Sequence, residues 1–395
     1  VGKLCKAIFT LHEYPWIIQK ENLMTQQRQV VFQHIHLKGD PYQIGRLQAE
    51  AVKHMPQFVG FLGSGAGKFT EEQFNRVSSQ MEHFCPGINA EMEGFADGLG
   101  IPLADLVYYA YTFLPKGKCS HFALLPSRTA EGRTLVGRSY EFGVDTEDMR
   151  LCTLQANNKF AFIGSSLIFF GYTEGMNEHG LVITMSAGGM PTGLEAGMRA
   201  SIQDGFQFWF VIRAVLERCK TVDEAIRLIK EIPTCGNPNL IVADKSGEAA
   251  LIEIFGPHKV VKKIDSKTAE QMISSTNHFN LPEMEPYRDP VWVNSQTRYD
   301  AIQARLSGPQ KVSKQAIKSL LSDEYPNGLA CHFYEEWFGT LRSMIFDPQA
   351  GEIDMCFGSP VDGAWYRIGF DTPMASYPIQ LPLKKMPPEF MATIN

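Results

Sequence analysis

The sequence predicts a layered α+β fold, and three features carry that prediction. Up to about residue 114 the chain reads mainly as helix. At Gly117-Lys118-Cys119 the hydrophobic period changes abruptly from three-to-four to two, and strands follow in runs. Helices then return only in pairs, at 206–216 with 221–232 and at 295–306 with 313–321. Such grouping does not make alternating βαβ units.

Composition bounds the class. At 395 residues, 44% hydrophobic and 20% charged, the chain is that of a soluble globular protein larger than one minimal domain. A net charge of −6 without any Lys/Arg-rich run excludes a nucleic-acid partner. The most apolar windows, such as 160–170, are short and broken by Gly and Ser, which excludes a membrane span. The run 7–11 is cut off by His12, Glu13 and Pro15, so no secretory leader is read there. Met24-Thr25-Gln26-Gln27 reads as an ordinary chain start, with residues 1–23 an extension; the organisation expected is an extension (1–30), a helical segment (31–118) and a main domain (119–395). The cysteines (Cys5, Cys85, Cys119, Cys152, Cys219, Cys235, Cys331 and Cys356) form no CxxC pair. They read as free thiols of a reducing, cytoplasmic setting, with no zinc site.

Taken in order, 31–36 alternates weakly as a strand. Asp40-Pro41 supplies an N-cap and a first-turn proline for a helix over 42–61, which stops in Gly63-Ser64-Gly65-Ala66-Gly67. A phosphate-loop reading of that cluster fails, because Leu62 and Phe69 stand where a glycine and a hydroxyl are needed. Thr70-Glu71-Glu72 opens a helix to about 85, and 86–98 and 102–114 are two more, closed by Pro115 and Gly117. Strands are expected at 121–125, 134–138, 151–155 and 160–163. Residues 174–180 read as a hairpin tip between 169–170 and 181–184. Further strands are expected at 240–243, 249–255, 259–264, 272–277, 340–346, 352–356 and 365–370.

The seam carries the chemistry. A thiol is a useful nucleophile once something takes its proton, since its ordinary pKa is about 8.5. Were the Lys118–Cys119 bond cut, the freed α-amine, with a pKa near 8, would sit on the same residue as the thiol and could serve as its base.

Five motifs follow one another in order: Cys119-Ser120; Gly137-Arg138-Ser139-Tyr140-Glu141-Phe142; Glu174-Gly175-Met176-Asn177-Glu178-His179-Gly180-Leu181; Ser275-Thr276-Asn277-His278; and Ser295-Gln296-Thr297-Arg298-Tyr299. Together with the long segment before Cys119, they resemble the N-terminal-nucleophile (Ntn) hydrolases of the choloylglycine hydrolase type, and within them the acyl-CoA:6-aminopenicillanate acyltransferase branch (peptidase family C45). The resemblance implies a four-layer αββα sandwich of two mainly antiparallel sheets, preceded by a helical pro-segment. It implies self-cleavage between Lys118 and Cys119, with Cys119 as nucleophile and its amine as base. It implies Arg138 beside the thiol, Glu141 on the amine, Asn177 in the oxyanion hole, and Asn277 and Arg298 as further polar residues around the nucleophile. Lys118 stands where relatives often have glycine, Glu141 where they have aspartate, and Ser139 where many have asparagine.

The activity implied is hydrolysis or acyl transfer at linear amide C–N bonds, on a small N-acyl amide or another acyl donor, acyl-CoA included. No cofactor is implied. The segment 1–118 would be retained as a subunit, and homo-oligomerisation is left open. Read without the resemblance, Arg138 and Glu141 suit a structural pair on a strand, Asn177 a turn, Asn277 a loop cap and Arg298 a salt-bridged helix residue. Two other classes stay open: a Cys–His thiol enzyme using His121, His179, His278 or His332 without self-cleavage, and an inactive binding protein of the same fold.

Overall fold

The structure is a computed structural model. It describes residues 27–53, 59, 60, 62, 68–112, 118–144, 147–192 and 198–394. The 1–23 extension, the Gly63–Gly67 stop and the closure at Pro115 and Gly117 lie outside the described residues.

In chain order the strands are β1 (Gln27–Gly39), β2 (Lys118–Leu124), β3 (Leu135–Phe142), β4 (Arg150–Ala156), β5 (Phe162–Leu167), β6 (Gly171–Asn177), β7 (Leu181–Ala187), β8 (Pro238–Asp244), β9 (Ala249–Phe255), β10 (His258–Ile264), β11 (Met272–Ser275), β12 (Val291–Trp292), β13 (His332–Phe333), β14 (Phe338–Asp347), β15 (Glu352–Phe357), β16 (Trp365–Ile368), β17 (Ala375–Pro382) and β18 (Thr393–Ile394). The helices are α1 (Pro41–Val52), α2 (Glu71–Phe84), α3 (Ile88–Leu99), α4 (Leu103–Thr112), α5 (Phe208–Arg218), α6 (Val222–Glu231), α7 (Val293–Leu306) and α8 (Lys314–Ser322).

Two sheets face each other. One runs β10-β9-β8-β7-β6-β5-β4-β1-β17, and the other β11-β2-β3-β14-β15-β16 with β13 beside β14. Every pairing in them is antiparallel except β1 with β4. Helices α5 and α6 cover the outer face of the first sheet, and α7 and α8 that of the second. This is the αββα sandwich.

The sandwich explains why its strands read as continuous apolar runs: both faces are buried, so both parities are apolar. On β2, Phe122 and Leu124 pack under α7 and α8 with Ile302, Leu306, Ile317 and Leu320. Ala123 and Cys119 point the other way, into the core between the sheets. Gly137 on β3 lies so close to the Phe122 ring that a Cβ there would collide with it.

The helix starts follow the expected chemistry. Asp40 accepts from the Tyr42 N–H ahead of Pro41, Thr70 and Gln73 form a reciprocal capping box, and Thr221 and Ser313 cap α6 and α8.

Three differences from the sequence reading matter. The segment before Cys119 is not purely helical: β1 is 13 residues long and lies within the nine-stranded sheet between β4 and β17. Residues 174–177 are not a hairpin tip but the second half of β6, and the reversal falls at Glu178-His179-Gly180, where Gly180 adopts a left-handed φ of 77°. Strand β17 escaped notice because Pro378 and Pro382 interrupt it. It lies at a sheet edge, where a missing N–H does no harm.

Candidate active site

Alternation along β2 and β3 sets out the site. Residues 119 and 121 on β2 and 138 and 140 on β3 face the first sheet; 118 and 120, with 139 and 141, face α7. The register pairs Cys119 with Tyr140 and His121 with Arg138. One group of side chains therefore surrounds the thiol, and a second surrounds the Cys119 backbone from the opposite side.

On the inner side, Arg138 Nη2 lies 3.3 Å from Cys119 Sγ. The guanidinium is held by Glu174 and by the Met185 carbonyl. Glu174 is shared with Arg342, which donates Nε to it at 2.8 Å, Nη1 to Glu147 at 2.9 Å and Nη2 to Thr173 Oγ1 at 2.7 Å. Tyr140 OH donates to Glu147 at 2.9 Å. Cys119, Arg138, Glu174 and Arg342 are all buried. Burial pushes the Cys119 thiol up to about 11, against the pull of Arg138. Burial likewise raises Glu147 to about 7, whereas Glu174, although burial opposes it, is held below the usual carboxylate range by Arg138 and Arg342.

On the outer side, Arg298 is the hub. Its Nη1 donates to the Cys119 carbonyl at 2.9 Å and to Ser120 Oγ at 2.7 Å; its Nη2 donates to Asn277 Oδ1 at 2.8 Å and Asn294 Oδ1 at 2.9 Å. The Cys119 N–H donates to the same Asn277 Oδ1 at 3.1 Å. Asn277 Nδ2 donates to the Ala187 carbonyl at 3.2 Å, and its backbone N–H is fixed by Ser295. Glu141 accepts from Ser139 and Thr340 and lies 3.7 Å from Arg298 Nη1. Burial raises its carboxyl to about 7.

Cys119, Arg138, Glu141, Asn277 and Arg298 are thus brought together. Asn177 is not. It lies three residues beyond Glu174 on β6, and odd spacing turns it to the other face of the sheet, toward α5. There Nδ2 donates to the Leu216 and Cys219 carbonyls at 3.0 and 2.7 Å, while Oδ1 accepts from the His179 and Leu181 N–H groups at 3.1 Å each. All of its hydrogen-bonding groups are committed to the β6–β7 turn and the end of α5, away from Cys119; the amide side chain that meets Cys119, at its N–H, is that of Asn277.

Glu174 and Arg342 are the residues missed by sequence reasoning. Glu174 lay inside a quoted motif, but that motif read as a tip. Arg342 sits in an apolar strand pattern, where a lone arginine with an interior parity was the available signal.

No histidine among the described residues hydrogen-bonds Cys119. His121 pairs with Thr184, His278 with Ser295, and His332 with Ser359. A cleft of about 400 Å³ lined by Lys262, Tyr299 and Gln303 contains neither Cys119 nor its partners. Among the described residues no cluster of His, Cys, Asp or Glu is arranged to hold a metal, and no helix is long and apolar enough to cross a membrane.

The family model for acyl-coenzyme A:6-aminopenicillanic acid acyl-transferase matches residues 128–362. The chain belongs to that family. The match begins downstream of Cys119 and includes Arg138, Glu141, Asn277, Arg298, Glu174 and Arg342. No curated protein matches in sequence. Among solved structures, penicillin V acylase from Agrobacterium tumefaciens is 17% identical over 64% of this chain and 86% of its own, with a TM-score of 0.41. An N-acylethanolamine-hydrolyzing acid amidase ortholog from Caenorhabditis elegans is 14% identical over 58% and 93%, with a TM-score of 0.38. A variant of conjugated bile acid hydrolase from Clostridium perfringens is 12% identical over 67% and 98%, with a TM-score of 0.44.

Proposed function

We propose that this family member cuts its own Lys118–Cys119 bond and then uses Cys119 to open linear amide C–N bonds of small N-acyl substrates. The observation that carries the reading is the convergence on one residue: Arg138 on the thiol, Asn277 on the N–H and Arg298 on the carbonyl of Cys119.

In self-cleavage Sγ attacks the Lys118 carbonyl, the C–N bond breaks, and the Cys119 nitrogen takes the proton. Water then hydrolyses the thioester, leaving a Lys118 carboxylate and a free thiol. The new amine keeps Asn277 Oδ1 as its acceptor and can take the thiol proton in each later turnover. Arg138 stabilises the thiolate, and the Asn277 amide NH₂ group, one N–H of which goes to the Ala187 carbonyl, would offer its other N–H to a developing oxyanion. Arg298 fixes the strand start and the orientation of Asn277. Glu141 and Ser139 set the charge on that side.

In turnover the thiolate forms an acyl-enzyme. Water as acceptor gives hydrolysis, and an amine acceptor gives transfer; acyl-CoA fits as a donor through its thioester. Residues 27–112 stay with the catalytic part, because β1 is built into the main sheet and Glu91 on α3 is ion-paired with buried Arg213 on α5. Intact-mass measurement of purified protein should give fragments 1–118 and 119–395, which a Cys119→Ala chain should not give. Amidase activity in that uncut variant would sink the reading.

A further inference from the structure

A second nucleophilic arrangement lies away from Cys119, where β13, the loop after α8 and the loop after β15 meet. His332 Nε2 is 2.6 Å from Ser359 Oγ. On the other side of the same ring, His332 Nδ1 is 3.7 Å from Glu324 Oε1. From this constellation we propose that Ser359, His332 and Glu324 form a serine–histidine–carboxylate triad that hydrolyses small carboxylic esters independently of Cys119.

With the imidazole proton on Nδ1, facing Glu324, Nε2 is free to accept from the Ser359 hydroxyl, and that is the tautomer the proposal uses. Ser359 Oγ itself accepts from the Val361 N–H at 3.4 Å. Burial lowers the pKa of His332, which keeps the ring in the neutral, proton-accepting form. Glu324 is held in place by Lys384, whose Nζ donates to both carboxylate oxygens at 2.7 and 2.6 Å, while the Lys384 backbone N–H is bonded to the His332 carbonyl at 3.0 Å.

The backbone presents the serine on a sharp turn. Ser359 follows the end of β15 directly after Gly358, which has a left-handed φ of 76° and an N–H tied to the Leu341 carbonyl. The group lies just below the surface: Ser359 is 8% exposed, and Asp362 and Lys384 beside it are exposed.

The chemistry closes on itself. As Oγ bonds to the ester carbonyl, its proton passes to Nε2. The C–O bond to the alcohol breaks, and Nε2 returns the proton to the departing oxygen. Water then attacks the acyl-serine, giving one proton to Nε2, which restores it to Oγ as the acid leaves.

The test uses the full chain carrying Cys119→Ala, so that only a serine can react, and a fluorophosphonate probe with peptide mass spectrometry. The expected result is one adduct on Ser359, absent in Ser359→Ala. Labelling should slow about 100-fold or more in His332→Gln and less in Glu324→Gln, with all variants checked for native melting temperature. The labelling rate should also rise with pH through a midpoint below 6.5. No adduct on Ser359 in the folded protein, or labelling unchanged in a folded His332→Gln chain, would overturn the proposal.

Discussion

Arg138 and Glu174 meet in the buried space between the two sheets, and Nη2 of that guanidinium lies 3.3 Å from the Cys119 sulfur. Glu174 is itself divided between Arg138 and Arg342. The thiol therefore sees a positive group that is anchored from behind and cannot swing away. A buried cation so placed favours the thiolate, which burial alone strongly disfavours.

Removing that cation should leave the sulfur protonated. Arg138→Met is expected to slow self-cleavage about 10- to 100-fold at pH 7, the change given by one to two pKa units on the thiol. Raising the pH should restore part of the rate. Arg138→Lys should fall between, since one ammonium cannot serve both Glu174 and Cys119. Cleavage followed by gel densitometry from pH 6 to 10 reads this directly; an unchanged pH profile in a folded Arg138→Met chain would refute it.

The two asparagines should separate cleanly. Asn277→Ala removes the acceptor of the Cys119 N–H and the amide donor proposed for the oxyanion, so turnover should drop about 100- to 1,000-fold with modest change in stability. Asn177→Ala leaves two carbonyls at the end of α5 and two N–H groups of the β6–β7 turn without side-chain partners. It should destabilise the fold by about 2–4 kcal/mol while the folded fraction keeps its activity. Urea melts and kcat measured on the same preparations distinguish the two.

These assignments show what the sequence could convey. The layered α+β class was legible because grouped strands and paired helices are a chain-wide pattern; the αββα order came from the family resemblance. The site was legible where a residue is tied to β2 or β3, because the parity of Arg138 and Glu141 follows once those strands are placed. The oxyanion role for Asn177 came from the resemblance, and reading 174–180 as a hairpin tip hid the parity that turns it to the opposite face from Glu174. Arg342 was silent for a related reason: its partners Glu147, Thr173 and Glu174 come from distant segments that only the sheet packing brings together. Strand β1 was read short because apolar Val31 and Ile35 stand on its half-exposed face and polar His34 on its buried one, which blurs the alternation.

Retention of the N-terminal fragment should depend on a small set of buried charges. Arg213 on α5 is paired with Glu91 of α3 and with Glu217, and Glu217 in turn holds Lys159 and accepts from Cys85 at the end of α2. Arg213→Met strands the Glu91 carboxylate in the interior, at a cost of about 3–5 kcal/mol. The cleaved protein should then release fragment 1–118 at lower urea concentration than the wild type. Size-exclusion chromatography across a urea series measures this, and co-elution to the wild-type midpoint would refute it.

The pH dependence of stability has a definite sign. Burial raises the carboxyls of Glu141 and Glu147 from an unfolded value near 4.5 to about 7. Between these values the folded chain binds protons that the unfolded chain has lost, so stability falls as pH rises from about 4.5 through 7. Below 4.5 these two groups contribute no pH dependence, and above 7 their penalty is complete. The uncut Cys119→Ala chain should therefore melt at higher temperature at pH 5 than at pH 7.5. Glu141→Gln, which keeps an acceptor for Ser139 without the charge, should flatten that slope and leave the melting temperature at pH 5 nearly unchanged. Calorimetry at the two pH values decides it, and a Gln variant that loses equal stability at both would show that Glu141 stays ionised in the folded chain.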